Sequence, residues 1–209
     1  MRNNYYHTFG YNDLRDYPLA DDKYGIEQLA DKYKYIDINR VGIYGHSGGG
    51  FMSTAAILSY PDFYKVAVSS SGNHDNNIYN QWWGETHNGV TEVEKKSIKK
   101  GEVKDSLNKK KEVEISFKGV VEKNQDLAKN LKGYLLLVTG DIDNNVHPGN
   151  TLRVVDALIK ANKRFDFMML PGQRHAYGND VPYFDRLMWY YFAEHLLGDY
   201  RTNVDLLDF

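Results

Sequence analysis

The sequence predicts an α/β fold, a parallel sheet covered by helices on both faces, and three observations carry that reading. Short apolar runs and segments of helical period alternate four times along the chain. The runs at Val41–Tyr44, Val66–Val68, Tyr134–Val138 and Phe165–Leu170 are largely apolar, as strands buried on both faces require. The first of them drives straight into Gly45-His46-Ser47-Gly48-Gly49, a Gly-x-Ser-x-Gly turn with a helical pattern opening directly behind it.

Taken in order, residues 1–20 carry no clean period and read as an irregular entry. Asp21 and Asp22 suit the first turn of a helix, and Ile26, Leu29, Ala30 and Tyr33 give it an apolar face. Tyr35–Asn39 turns the chain into the first strand. Beyond the Gly-x-Ser-x-Gly turn, Met52, Ala55, Ala56 and Ile57 continue a helix that Pro61 closes. Val66–Val68 is the next strand and ends in Ser69-Ser70-Ser71-Gly72. Residues 73–93 are polar and aromatic. In residues 94–123 lysine pairs alternate with acids, which reads as a solvated surface insertion with a hairpin around Val113–Phe117. A helix near Asp126–Leu131, the Tyr134–Val138 strand and a loop over Gly140–Pro148 follow. Leu152, Val155, Ala157, Leu158 and Ile159 mark another helix, then comes the strand ended by Pro171-Gly172. The last helix, Pro182–Leu197, is rich in rings.

Composition narrows the function classes. A chain of 209 residues suits one domain with a core large enough to need no covalent staples. A net charge of -2 gives no argument for nucleic acid or an anionic membrane, and no run approaches the ~18 apolar residues of a membrane span. Cysteine is absent, so disulfides and thiolate metal sites are excluded. Aromatics reach 14%, a proportion that suggests pockets or interfaces built from rings.

In a parallel sheet the loops after the strands gather at one edge, and sites form there. Three such loops carry Ser47, Asp143 and His175, in the chain order of an α/β-hydrolase. A serine hydroxyl is a poor nucleophile and needs an imidazole to take its proton, and a carboxylate must fix that imidazole's tautomer. Gly48 follows the serine at a helix start, so its N–H can serve a developing oxyanion. Asp141 rivals Asp143 as the acid, and His46 and His147 rival His175 as the base. His74, Asp75 and His87 lack metal-ligand spacing, and neither a metal nor a cofactor is expected.

These residues resemble the catalytic domain of the prolyl oligopeptidase family of serine peptidases, in its dipeptidyl peptidase IV-like branch. The carriers are Gly45-His46-Ser47-Gly48-Gly49, the loop Gly140–His147 and His175. The resemblance implies a Ser47–Asp143–His175 triad acting on a peptide substrate through an acyl-enzyme, with the family's acid in Gly-x-x-Asp-x-x-Val falling on Asp143. It also implies substrate contacts from Asn145 and Val146, and an apolar pocket wall from Tyr79 with Trp82 or Trp83. Gly48 stands where the branch often has an aromatic, so the resemblance does not extend to that contact.

A whole α/β-hydrolase carries several strands before its elbow, and this family draws a second oxyanion donor, a tyrosine, from that region. Barely one helix precedes residue 40 here. The expectation is therefore a C-terminal part of a longer peptidase, an α/β-hydrolase domain lacking its N-terminal strands. Its elbow strand would be an edge that invites pairing with another copy, or the chain would form a family-type dimer. One missing oxyanion donor costs ~3 kcal/mol, or about 10²–10³ in rate, so little peptidase activity is expected of it alone. Two other classes fit the same residues: a carboxylesterase-like hydrolase, and a binding fold whose triad is vestigial.

Overall fold

The computed structural model describes residues 3–96, 113–201 and 205–206. The entry segment holds one short helix, α1 (Asn4–Thr8), capped by the Asn3 side chain, which accepts from the Tyr6 N–H. Helix α2 (Leu19–Lys32) leads to β1 (Val41–His46), α3 (Gly48–Ser59) and β2 (Tyr64–Ser70). A long excursion then carries α4 (Gln81–His87), the strands β3 (Thr91–Lys96) and β4 (Val113–Lys118), and a 3₁₀ helix at Asn124–Asn130. β5 (Tyr134–Gly140), α5 (Gly149–Lys160), β6 (Asp166–Leu170) and α6 (Val181–Leu197) complete the chain.

The main sheet is parallel, in the order β1-β2-β5-β6. Because side chains alternate along a strand, its two faces feed two cores. Ala67, Leu135 and Leu137 pack with Ala55, Ile57 and Leu58 of α3 and Val154 and Leu158 of α5. Val66, Val68, Leu136 and Val138 point the other way, onto Met188 and Tyr191 of α6. Both faces are thus buried, which is why these strands read as apolar runs. β3 and β4 form a separate antiparallel hairpin, and the lysine-rich stretch at 97–112 between them lies outside the described residues.

Two predicted apolar faces are drawn differently. Leu29 and Tyr33 of the α2 region are exposed, and Ile26 is the residue packed against the core. On α5 the inward positions are Thr151, Val154 and Leu158, while Leu152 and Ile159 face water. Leu158 is 0% exposed and its neighbour Ile159 is 64% exposed, as one step of 100° around a helix dictates. On α6 the ring-rich run splits the same way: Tyr191 is buried and Trp189 and Tyr190 are exposed.

β1 forms one edge of the described sheet, with Tyr44 67% exposed on it. The strand that delivers the Gly-x-Ser-x-Gly turn therefore has a single strand partner, β2, among the described residues.

Candidate active site

Ser47 sits between β1 and α3 at φ 58° and ψ −120°, a backbone conformation that costs a non-glycine residue about 1–3 kcal/mol. The end of β2 holds it there. The Ser47 N–H donates to the Ser70 carbonyl at 2.8 Å, and the Ser47 carbonyl accepts from the Phe51 N–H at 3.0 Å. Tightness around the serine is not symmetrical. A Cβ on Gly45 would lie 2.3 Å from the Gly49 backbone, and one on Gly50 would lie 2.6 Å from the Ser70 carbonyl oxygen. Gly48, next to the nucleophile, would place a Cβ in open space. The steric demand for glycine thus falls on Gly45 and Gly50 and not on Gly49, the second glycine of the Gly-x-Ser-x-Gly turn, and an aromatic side chain after Ser47 has room at its first atom.

The Asp143 loop and the His175 loop meet because Gly140 lets them. A Cβ there would sit 2.3 Å from the Gln173 carbonyl oxygen. The Asp141 N–H donates to Leu170 and the Ile142 N–H to Gln173, each at 3.2 Å. His175 Nδ1 then lies 2.8 Å from Asp143 Oδ2, and His175 Nε2 lies 3.0 Å from Ser47 Oγ. Asp143 is 2% exposed, and its other oxygen accepts from the N–H groups of Asn145 (3.0 Å) and Val146 (2.9 Å). A carboxylate so filled can only accept, which assigns the proton to His175 Nδ1 and leaves Nε2 to accept from the serine.

Of the rivals, His46 lies beside His175 with its Nδ1 on Ser70 Oγ, and the other two lie apart from Ser47. Asp141 is exposed, and His147 uses its Nδ1 to accept the Gly149 N–H at the start of α5. Tyr79 donates to Asn145 Oδ1 at 2.9 Å, and its ring meets Trp83 edge-on at 5.9 Å. The Tyr79 phenol is pushed above its ordinary value by burial and then by Asp143. Trp82 does not join this group: it is 70% exposed and has no ring partner among the described residues. Val146 is 1% exposed, so its side chain packs in the interior and only its backbone serves the site, through Asp143. Trp82 and Trp83, like Asn145 and Val146, face different ways, as adjacent residues on a helix or tight loop do.

Sequence reasoning missed a layer beneath the site. Tyr177, at φ 59°, is buried with its hydroxyl 3.0 Å from Ser71 Oγ and 3.3 Å from the Val138 carbonyl. Burial pushes its phenol up to about 12, so it stays a neutral donor. Ser71 is a second buried residue at positive φ, 43°, and its N–H donates to Val138 at 2.8 Å. His46 places Nδ1 2.9 Å from Ser70 Oγ. The stretch Asn73–Asn76, part of the segment read as polar and aromatic, is buried too. Asp75 accepts from Asn77, Gln125 and Arg153. Among the described residues, no group of three His, Asp or Glu side chains could hold a metal ion.

The arrangement can move a proton from Ser47 Oγ to an imidazole already oriented by a carboxylate, which is the chemistry of acyl transfer. A strand-turn-helix nucleophile elbow on a parallel sheet, with acid and histidine on later strand-end loops, defines an α/β-hydrolase domain. The chain belongs to the prolyl oligopeptidase family, whose sequence model matches residues 2–199. Human dipeptidyl peptidase 8 is 28% identical over 158 residues, which cover 76% of this chain and 16% of that protein. The Caenorhabditis elegans dipeptidyl peptidase family member 1 is 27% identical over 173 residues, 82% of this chain and 19% of that one. Among solved structures, a candidate dipeptidyl aminopeptidase IV of Bacteroides ovatus superposes with a TM-score of 0.74 at 26% identity, covering 91% of this chain and 24% of the other. Porphyromonas gingivalis dipeptidyl peptidase 4 shares the fold at a TM-score of 0.70 and 22% identity, over 93% and 24% of the two chains. The chain thus spans 16% and 19% of the length of the human and nematode relatives and belongs with the dipeptidyl peptidase IV-like branch.

His74, directly behind the elbow, generates a pH prediction. It is fully buried, accepts from Asn124 Nδ2 at 3.0 Å, and burial holds its imidazole far below the ordinary 6.5, at about 3. The unfolded chain therefore binds a proton that the folded chain refuses. Its contribution is intact above pH 6.5 and is lost, at about 1.4 kcal/mol per unit, as pH falls towards 3. Unfolding free energies of wild type and His74→Gln from urea titration should converge by roughly 2–3 kcal/mol between about pH 7 and about pH 4.5. A gap that stays constant would contradict this.

Proposed function

We propose that this chain carries the catalytic site of a serine peptidase that cleaves short peptides through an acyl-enzyme. The observation that carries the reading is the unbroken hydrogen-bonded path Ser47 Oγ–His175 Nε2 (3.0 Å) and His175 Nδ1–Asp143 Oδ2 (2.8 Å). In this reading Ser47 attacks the scissile carbonyl while His175 takes its proton. Asp143 holds the tautomer and stabilises the imidazolium, and His175 returns the proton to the leaving amine. Water then repeats the sequence on the ester. Gly48 starts α3, so its N–H has no acceptor within the helix and is free to receive the developing oxyanion. Tyr79, Trp83 and Asn145, grouped beside the path, would wall the substrate pocket. Peptidase membership of the family, and relatives named as dipeptidyl peptidases, favour a peptide substrate over a simple ester.

The substrate of choice for a test is an Ala-Pro or Gly-Pro anilide. The 209-residue chain should turn it over slowly and take a fluorophosphonate label on Ser47. Ser47→Ala should abolish both, Asp143→Asn should cut the rate about 10³–10⁴-fold, and Asp141→Asn should leave it unchanged. Cleavage of a p-nitrophenyl ester with every peptide refused would favour an esterase. No label on Ser47 would favour a binding fold with a vestigial triad.

The exposed edge of β1 supports a second element of this reading, pairing between copies of the chain. Sedimentation should find dimers or larger species that Tyr44→Lys, a charge on that edge, disperses. A chain that is monomeric at all concentrations would rule the pairing out.

A further inference from the structure

The residue before the nucleophile is a second histidine, and its ring lies against the ring of the first. His46 and His175 have centroids 4.7 Å apart at 52°. On its other side His46 meets Tyr177 edge-to-face, 5.5 Å away at 87°. Its Nδ1 is 2.9 Å from Ser70 Oγ, and Ser70 Oγ donates to the Gly45 carbonyl at 3.3 Å. A hydroxyl has one proton, so sending it to Gly45 makes His46 the Nδ1–H tautomer with Nε2 unprotonated. Tyr177 is in turn pinned to Ser71 and Val138. Asp143 and Ser47 hold the edges of the His175 ring; His46 supports its face.

We propose that His46 is a positioning residue for the base: clamped by Ser70 and Tyr177, its neutral ring backs His175 and keeps it directed at Ser47 and Asp143. The inference rests on His175 being the base in the reading above. Its chemistry goes further than support. When His175 becomes an imidazolium during attack, a neutral ring beside it is a favourable neighbour. A protonated His46 would instead set a second positive charge 4.7 Å away. The titratable groups facing His46 are His175 and Tyr177 from the loop after β6 and Asp143 from the loop after β5; Ser70, from β2, is uncharged. Partial burial first, and then His175, hold the His46 imidazole below its ordinary value, which favours the neutral ring. Protonation leaves the Nδ1–H bond to Ser70 intact, so the consequence is one of charge and not of shape.

The test is the rate at which a fluorophosphonate labels Ser47, followed from about pH 4.5 to about 8. The wild type should lose rate in acid through two ionisations. His46→Phe keeps a ring in place and should leave a single ionisation, with a loss at neutral pH far smaller than that of His46→Ala. His46→Ala should slow labelling on the order of ten- to hundredfold across the range. Ser70→Ala, which frees the ring without removing it, should fall between them. Labelling of His46→Ala at the wild-type rate, or one ionisation in every variant and in the wild type, overturns the inference while leaving the triad standing. A wild-type chain that takes no label overturns the triad reading and this inference with it.

Discussion

The end of β2 holds Ser47 in place. Ser47 is strained, and what keeps it so is a hydrogen bond from its N–H to the Ser70 carbonyl, made possible by the absence of a side chain at Gly50. Around that bond runs a seam of small polar residues. Ser69 Oγ donates to the Gly50 carbonyl at 2.7 Å, and Ser53 Oγ reaches the Gly50 and Val68 carbonyls at 3.2 and 3.3 Å. Each such donor contributes about 1 kcal/mol net, so the three of them, from Ser47, Ser53 and Ser69, offset the roughly 1–3 kcal/mol of strain. All lie buried between α3 and β2, where losing one partner would leave the other unsatisfied.

A second junction brings His175 to Ser47. The loops after β5 and β6 are stitched by the Ile142 N–H to the Gln173 carbonyl, and Gly140 admits that approach. Asp143 closes its own loop through two backbone N–H groups and spends its remaining oxygen on His175. The acid is thereby fixed by local backbone before it meets the histidine. Tyr177, in the left-handed region two residues past His175, ties the far side of the histidine loop to Ser71 and Val138. Four strand ends, those of β1, β2, β5 and β6, thus converge on the same few residues.

Much of this was legible in the sequence, for reasons that particular residues make plain. Strands buried on both faces leave apolar runs, and each of the four runs became a strand of the sheet. Ser47, Asp143 and His175 could be singled out because each follows such a run, and the structure brings the three within hydrogen-bonding distance of one another in sequence. Helix faces were less legible: Ile159 and Leu158 are equally apolar, and only the packing of α5 decides which turns inward. Trp82 and Trp83 pose the same problem one step apart on α4. The layer under the site was illegible. Nothing in a run of serines announces that Ser71 takes positive φ, and nothing in Asn73-His74-Asp75-Asn76 distinguishes a polar loop from a buried hydrogen-bonded one. Gly50 lies outside the Gly-x-Ser-x-Gly pattern although it is sterically as constrained as Gly45.

The central claim is that the site is assembled before any substrate arrives, with His175 already donating to Asp143. Proton NMR of the substrate-free chain tests it most directly, since an imidazole N–H held by a buried carboxylate resonates well downfield of the backbone amides. The account predicts such a resonance, assignable to His175 Nδ1–H, that disappears in Asp143→Ala and persists in Ser47→Ala. A folded chain with no such resonance, or one in which Asp141→Ala removes it and Asp143→Ala does not, would contradict it.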